Sequence, residues 1–130
     1  MKLYIAGHSQ EEARRVAGMM KEAGHEITSR WLDEDFSKVP EYTDADRANV
    51  AKTDVDDVTA SDALVLLPSP RRVPGGKFIE VGVAIGQGKP VHVLGHRENM
   101  LMWHPLVVAW ASAEDFIKTN VEDDDARHSR

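Results

Sequence analysis

An α/β fold follows from three features of the 130-residue sequence. It is a single-domain parallel sheet with helices on both faces, flavodoxin-like or Rossmann-like. Short apolar runs alternate with stretches of helical pattern, the arrangement of linked β-α-β units. One of those runs, Ala63-Leu64-Val65-Leu66-Leu67, is apolar throughout, as a strand covered on both faces must be. Glycine and proline punctuate the ends of the helical stretches, at Gly24, Gly88 and Pro90.

Taken in order, Lys2–Ala6 is a short strand ending at Gly7. Ser9-Gln10-Glu11-Glu12 has the form of a capping box, with Ser9 as N-cap and Glu12 at N3. The helix it opens carries Ala13, Val16, Ala17, Met20 and Ala23 at helical spacing and stops at Gly24, the residue suited to a left-handed C′ position. Glu26–Trp31 reads as the second strand and Asp33–Tyr42, with Pro40, as a surface loop. Thr43–Ala60 is helical by pattern, with a candidate break near Thr53; its apolar positions are Ala45, Ala48, Val50, Ala51, Val55 and Val58. Ala63–Leu67 is the third strand. A loop rich in Pro, Gly and Arg, Pro68–Lys77, leads to a helix over Phe78–Gln87. Val91–Leu94 is the fourth strand, Gly95–Pro105 a loop, and Leu106–Trp110 a short fifth strand. Ser112 caps a last helix over Ala113–Asn120, with Asp115 near N3. The domain spans 1–121, and 122–130 is a charged tail expected to be disordered.

The composition is that of a globular protein: 42% hydrophobic, 29% charged, formal net charge -6. With no cysteine, disulfides and thiolate-bound metals are excluded. The acidic balance, without a basic patch interleaved with aromatics, argues against a nucleic-acid polymer as partner. No apolar run approaches the roughly 18 residues of a membrane span, and the first residues lack the layout of a signal peptide. A cytoplasmic protein is the expectation. His92, His96 and His104 lack a metal-ligand spacing, so no metal and no cofactor are expected.

The chemistry concentrates after the third strand. Gly75 and Gly76 let a backbone approach a ligand closely, and Glu80 is expected in the first turn of the helix that follows. A carboxylate above the carboxyl end of a buried parallel strand lies where open α/β sheets bind ligands, and the helix dipole favours its charged form there. Such a Glu is a candidate nucleophile or base. In a parallel sheet the same edge collects Tyr4, Gly7 and His8, then Pro68–Glu80, then Gly95–Asn99. Asp54 and Asp62 lie around the start of the third strand. Arg71 and Arg72, with Lys77, form a cationic group suited to a phosphate.

Tyr4-Ile5-Ala6-Gly7, Asp54 followed eight residues later by Asp62, and the run from Gly75 through Glu80-Val-Gly-Val-Ala to Gly88-Lys89-Pro90-Val91 together resemble the nucleoside 2-deoxyribosyltransferase superfamily. That superfamily includes the 2′-deoxynucleoside 5′-phosphate N-hydrolases. The likeness covers roughly residues 1–105 and is strongest to short phage and bacterial members, through Gly24–Trp31 and Gly95–Asn99. The resemblance implies cleavage of an N-glycosidic bond. Glu80 would be the nucleophile on C1′, Asp54 the acid and base facing the nucleobase, and Tyr4 the hydroxyl that orients Glu80. Gly7, His8, Pro68, Arg71, Arg72, Gly75, Gly76 and Asn99 would contact substrate. Asn99, ahead of Met100–Trp103, would serve a neighbouring subunit's site, implying a homo-oligomer. One position departs from the family: six residues before Glu80, where transferases carry Asp and phosphate-specific hydrolases Ser, this chain has Pro74.

Each assignment has a plainer competitor. Glu80 could merely stabilise a helix dipole, Asp54 sit among solvated acids beside Asp56 and Asp57, and Arg71 and Arg72 be a solvated pair. Asp62 is better read as an anchor of the strand start, Ser9 as a cap, and Trp103 and Trp110 as core or interface residues. The expected function is transfer of the sugar to another base. Transfer to water, making an N-hydrolase, is the alternative, and a non-catalytic nucleotide-binding module is the rival of another class.

Overall fold

The computed structural model describes residues 1–120. β1 (Lys2–Ala6), β2 (Glu26–Ile27), β3 (Ala63–Leu66), β4 (Val91–Leu94) and β5 (Val107–Trp110) make one sheet in the order β2-β1-β3-β4-β5. Every pairing is parallel. This is the flavodoxin-like order, and the order in which successive strands are added reverses between β1 and β3. The helices are α1 (Gln10–Glu22), α2 (Asp44–Ala60), α3 (Gly76–Gly86) and α4 (Ala113–Thr119).

Alternation along the strands sorts the core into two layers. Leu3 and Ile5 of β1 join Ala13, Val16, Ala17 and Met20 of α1 and Phe116 of α4. Tyr4 and Ala6 point to the opposite face and join Val58 of α2 with Val81 and Ala84 of α3. β3 is buried on both faces along its whole length, so its uninterrupted apolar sequence meets its environment. The alternation has a functional consequence. It puts the tyrosine of β1 under the same two helices that carry Asp54 and Glu80.

The local signals at α1 hold. Ser9 Oγ accepts from the Glu12 amide at 3.2 Å, and Gly24 takes φ 95° just past the helix. Asp62 anchors the sheet edge as expected, accepting from the Lys2 amide at 2.7 Å.

Several boundaries differ from the sequence reading, each for a traceable reason. The second strand does not run to Trp31; it ends at Ile27 and is followed by a 3-10 turn over Arg30–Asp33. Side chains replace the ladder there. The Ile5 amide donates to Ser29 Oγ at 3.1 Å, and Thr28 Oγ1 donates to the Asp57 carbonyl at 2.9 Å. The segment read as a loop contains a further 3-10 turn, Phe36–Glu41, capped by Asp35. α2 is unbroken at Thr53, opened by a reciprocal capping box between Thr43 and Asp46. Most of its apolar positions are not core: Ala45, Ala48, Ala51 and Val55 are exposed, and Val58 is the one fully buried among them. α3 begins at Gly76 instead of Phe78, so Glu80 stands in its second turn and not its first. β5 starts at Val107, one residue late, and the fourth loop contains a 3-10 turn over Met100–Trp103. The tail over 122–130 lies outside the described residues.

Gly95 closes β4 at φ 142°, and a Cβ built there would stand 2.8 Å from Pro68 Cγ. The loops after β3 and β4 therefore meet at a point that admits no side chain. Gly95→Ala is expected to destabilise the fold by about 1–3 kcal/mol, read as a lowered midpoint in thermal unfolding.

Candidate active site

The carboxyl ends of β1 and β3, the topological switch point, open into a cleft of about 220 Å³. Gly7 and His8 come from the end of β1 and Trp31 and Phe36 from the two 3-10 turns. Asp54 comes from α2, Pro74 from the loop after β3, and Gly76, Lys77 and Glu80 from α3. α2 brings Asp54 here because it lies four residues before Val58 and three before Asp57, on the stripe that faces the sheet. α3 does the same for Glu80, next to buried Val81 and three residues after buried Lys77.

Tyr4 completes the group from below. Its side chain is fully buried. Tyr4 Oη and Glu80 Oε2 are both buried without a partner in full hydrogen-bond geometry, yet the two groups are close enough to perturb each other. Burial, and then the Glu80 charge, push the Tyr4 phenol far above its usual range, so it stays a neutral donor. Burial pushes the Glu80 carboxyl up to about 7; Asp54 adds to the shift and the Tyr4 hydroxyl opposes it. Burial likewise lifts Asp54 to about 6, with Asp57 and Glu34 adding and Arg30 opposing. Glu80 is thus no exposed acid resting on a helix dipole, since desolvation sets its charge state. Each carboxyl is set chiefly by its own burial, with the Asp54 charge a smaller influence on Glu80. Near neutral pH the two carboxyls together hold about one proton, which the higher Glu80 value places mostly on Glu80; the minor form, with the proton on Asp54 and Glu80 charged, is the one in which Asp54 can donate and Glu80 attack.

The wall that carries Trp31 is fastened to α2 by a buried carboxylate. Asp57 accepts from the Arg30 amide at 2.9 Å, from Arg30 Nε at 2.9 Å and from Arg30 Nη2 at 2.7 Å. Trp31 is locked by its own Nε1–H, which donates to the Ile5 carbonyl at 2.7 Å. Lys77 proves to be structural. Its ammonium donates to Glu98 Oε1 at 2.7 Å and to Ser69 Oγ at 3.1 Å, and its side chain is 1% exposed. That binding removes it from the cationic group drawn up for a phosphate.

The remaining candidates divide. Arg71, with His8, Ser9 and Pro68, lines a neighbouring groove of about 160 Å³ that meets the cleft at His8. Arg72 is exposed and lines neither cavity, and Gly75 serves as N-cap of α3. Asn99 is exposed, and its Oδ1 accepts from the Leu101 amide at 3.0 Å, so within this chain it caps a turn outside the cleft. The sequence reading missed Trp31, Phe36, Arg30, Asp57 and Glu98 as builders of the site. Arg30 and Trp31 carried a signal as the end of one run that bears the family resemblance, and Glu98 as part of the other; Phe36 and Asp57 carried none. Among the described residues no group of three or more His, Asp or Glu is placed to hold a metal ion, and no helix is long and apolar enough to cross a membrane.

The fold and this cleft define an α/β domain with a paired-carboxylate site at its switch point. The nucleoside 2-deoxyribosyltransferase family model matches residues 3–127, and the chain belongs to that family. Solved structures agree in fold. A 2-deoxyribosyltransferase from Bacillus psychrosaccharolyticus aligns with TM-score 0.70 at 20% identity, covering 97% of this chain and 95% of that one. A CMP N-glycosidase from Clostridium botulinum aligns with TM-score 0.56 at 16% identity, covering 92% and 97%. A conserved protein from Enterococcus faecalis V583 aligns with TM-score 0.57 at 20% identity, covering 99% and 95%. Comparison with curated protein sequences gave no match.

The raised Glu80 value makes a stability test. The folded-state value, about 7, lies above the ordinary 4.5. The stability this carboxyl contributes is therefore complete below 4.5 and is lost as pH rises through about 7. Glu80→Gln is expected to exceed the parent by up to about 3 kcal/mol above about pH 8, with the gap closing below about pH 4. Denaturant unfolding at the two pH values measures it.

Proposed function

We propose that the protein cleaves the N-glycosidic bond of a 2′-deoxyribonucleoside or its 5′-monophosphate through a Glu80 ester and passes the sugar to a second nucleobase. In the first step a Glu80 oxygen bonds to C1′ as the C1′–N bond breaks. The bonding pair leaves with the base, and protonated Asp54 supplies its proton. In the second step a base nitrogen attacks C1′, the Asp54 carboxylate takes that nucleophile's proton, and Glu80 departs as a carboxylate. Two displacements retain the anomeric configuration. Tyr4, a neutral donor beneath Glu80, orients the attacking carboxylate.

The observation that supports this reading is the convergence of Glu80, Asp54 and Tyr4 on one cleft at the β1/β3 switch point, with both carboxyls desolvated. A binding module has no physical use for two such groups beside an anionic ligand, because unpaired buried charge is costly. Water as the acceptor is the second reading. It draws on Arg71, whose groove adjoins the cleft and suits a 5′-phosphate; Pro74 departs from the transferase and the hydrolase pattern alike and favours neither.

A homo-oligomer is part of the proposal. Ile79 of α3 is 69% exposed, and Met100, Leu101 and Trp103 are 82%, 72% and 68% exposed. Met100, Leu101 and Trp103 share one 3-10 turn, and large apolar side chains exposed side by side mark an interaction surface. A second copy over this face would bring its own Asn99 toward the cleft. Sizing by light scattering is expected to give a dimer or larger, and a strict monomer would remove the site completed in trans.

Product chromatography decides the chemistry. The panel is each deoxynucleoside, each deoxynucleoside 5′-monophosphate and CMP, with and without a second free base. New nucleoside that appears only with added base is the expected result; free base released without an acceptor would install the hydrolase reading. Glu80→Ala is expected to abolish turnover and Asp54→Asn to cost about 10²–10⁴-fold.

The pH profile of kcat/KM is expected to be a bell with limbs near 6 and 7. Asp54→Asn should erase the alkaline limb, where loss of the donor proton stops the reaction.

A further inference from the structure

A second cavity opens on the far side of Asp54. Its volume is about 340 Å³, and it shares Asp54 and Trp31 with the cleft that holds Glu80. Trp31 and Val50 give it apolar surface, while Glu34, Tyr42 and Asn49 give it polar edges. The Trp31 ring is fixed by its bond to the Ile5 carbonyl.

Glu34 is fixed twice. Its backbone carbonyl accepts from Gln10 Nε2 at 2.9 Å, and its Oε1 accepts from the Tyr42 hydroxyl. That bond holds the Tyr42 proton up to about 12, so Tyr42 remains the donor at neutral pH. A carboxylate offers about four lone-pair sites, and Tyr42 takes one. Among the described residues no other side chain donates to it, so toward a ligand Glu34 is an acceptor. Its charge also reaches Asp54, and both line this cavity, so a group bonded to Glu34 shares one space with the proposed proton donor. Asp46 adds a third carboxylate to the walls. Arg30 also lines the cavity, but its guanidinium is taken by Asp57, so the acids prevail against a phosphate, which leaves the 5′ end of a nucleotide to the groove of Arg71.

Resting on the glycosidic-bond cleavage proposed above, we propose that this cavity takes the nucleobase and that Glu34 selects bases with an amino group at pyrimidine C4 or purine C6. Those are cytosine and adenine, in preference to their keto counterparts uracil and hypoxanthine. The amine donates to Glu34. In the keto base an oxygen would face the carboxylate, two acceptors opposed with no proton between them. The Asn49 amide, with both a donor and an acceptor, can serve the ring nitrogen next to the amine.

The test is calorimetric binding to the Glu80→Ala protein, with Glu80→Gln as a second non-reacting form. The ligands are dCMP against dUMP and dAMP against dIMP. The expected result is binding about tenfold to hundredfold tighter for the amino member of each pair. Adding Glu34→Gln should bring the ratio near one by improving the keto ligands, because an amide can turn its N–H toward an oxygen. A merely structural Glu34 would weaken all four ligands alike. Equal affinities, a keto preference, no binding at all, or uniform weakening in Glu34→Gln would overturn the assignment. Selective binding without turnover in the parent protein would overturn the reaction and leave the base reading standing. Turnover without selectivity would do the reverse.

Discussion

One buried carboxylate holds the site in shape. Asp57 lies on α2 and accepts three separate bonds from Arg30. The turn it grips carries Trp31, and the chain just beyond carries Glu34 and Phe36. The ladder holds β2 by only two residue pairs, so the chain beyond it depends on side-chain bonds, of which those to Asp57 tie the turn to α2. The same carboxylate sits one helical turn from Asp54 and raises its proton affinity. A fastening between elements and an electrostatic setting of the acid are thus one feature. Arg30 lets it be so, since the guanidinium compensates Asp57 while remaining 67% exposed itself, which softens its pull on Asp54.

The layers above and below the sheet divide the labour. The α1–α4 face is a closed apolar core, in which even His92 is spent on accepting the Trp110 indole N–H at 3.0 Å. Its neighbours there are Trp110 and Phe116, and burial lowers its affinity for a proton. The α2–α3 face carries the ionisable groups at its upper end and apolar residues on its outside. Charge is tolerated on that side because the cleft admits water or ligand to one edge of each carboxyl.

The sequence carried the fold well wherever a pattern is local. Capping at Ser9 and Ser112, the glycine stop at Gly24 and the apolar run of β3 are each written in neighbouring residues. It misplaced what side chains build at a distance. Glu26–Trp31 has the composition of a strand, yet Ser29 and Thr28 divert its hydrogen bonds to β1 and α2. No local rule exposes a partner 29 residues away, as Asp57 is to Thr28. Likewise Lys77 looked like a ligand for anions because Glu98 lies 21 positions downstream. Tyr4, Asp54 and Glu80 were legible by resemblance, and the alternation of β1 with the helical stripes of α2 and α3 explains why they meet. Asn99 was legible as a polar residue of the right edge, while its role as the cap of a turn depends on backbone geometry that spacing does not encode.

The Lys77–Glu98 pair has a mechanical consequence. Lys77 is the root of α3, Ser69 belongs to the loop after β3, and Glu98 belongs to the loop after β4; one ammonium joins all three. Gly95 and Pro68 touch across the same two loops. If the loop after β4 swings away alone, the buried Lys77 loses its counterion, a penalty of roughly 3–5 kcal/mol. The cheap motion is therefore a concerted one in which the start of α3 moves with the loop after β4, and the Gly95–Pro68 contact ties the loop after β3 to the same movement. Entry and exit of a ligand past Pro74 would then follow a single slow opening instead of the rapid flicker expected of two independent, glycine-rich loops.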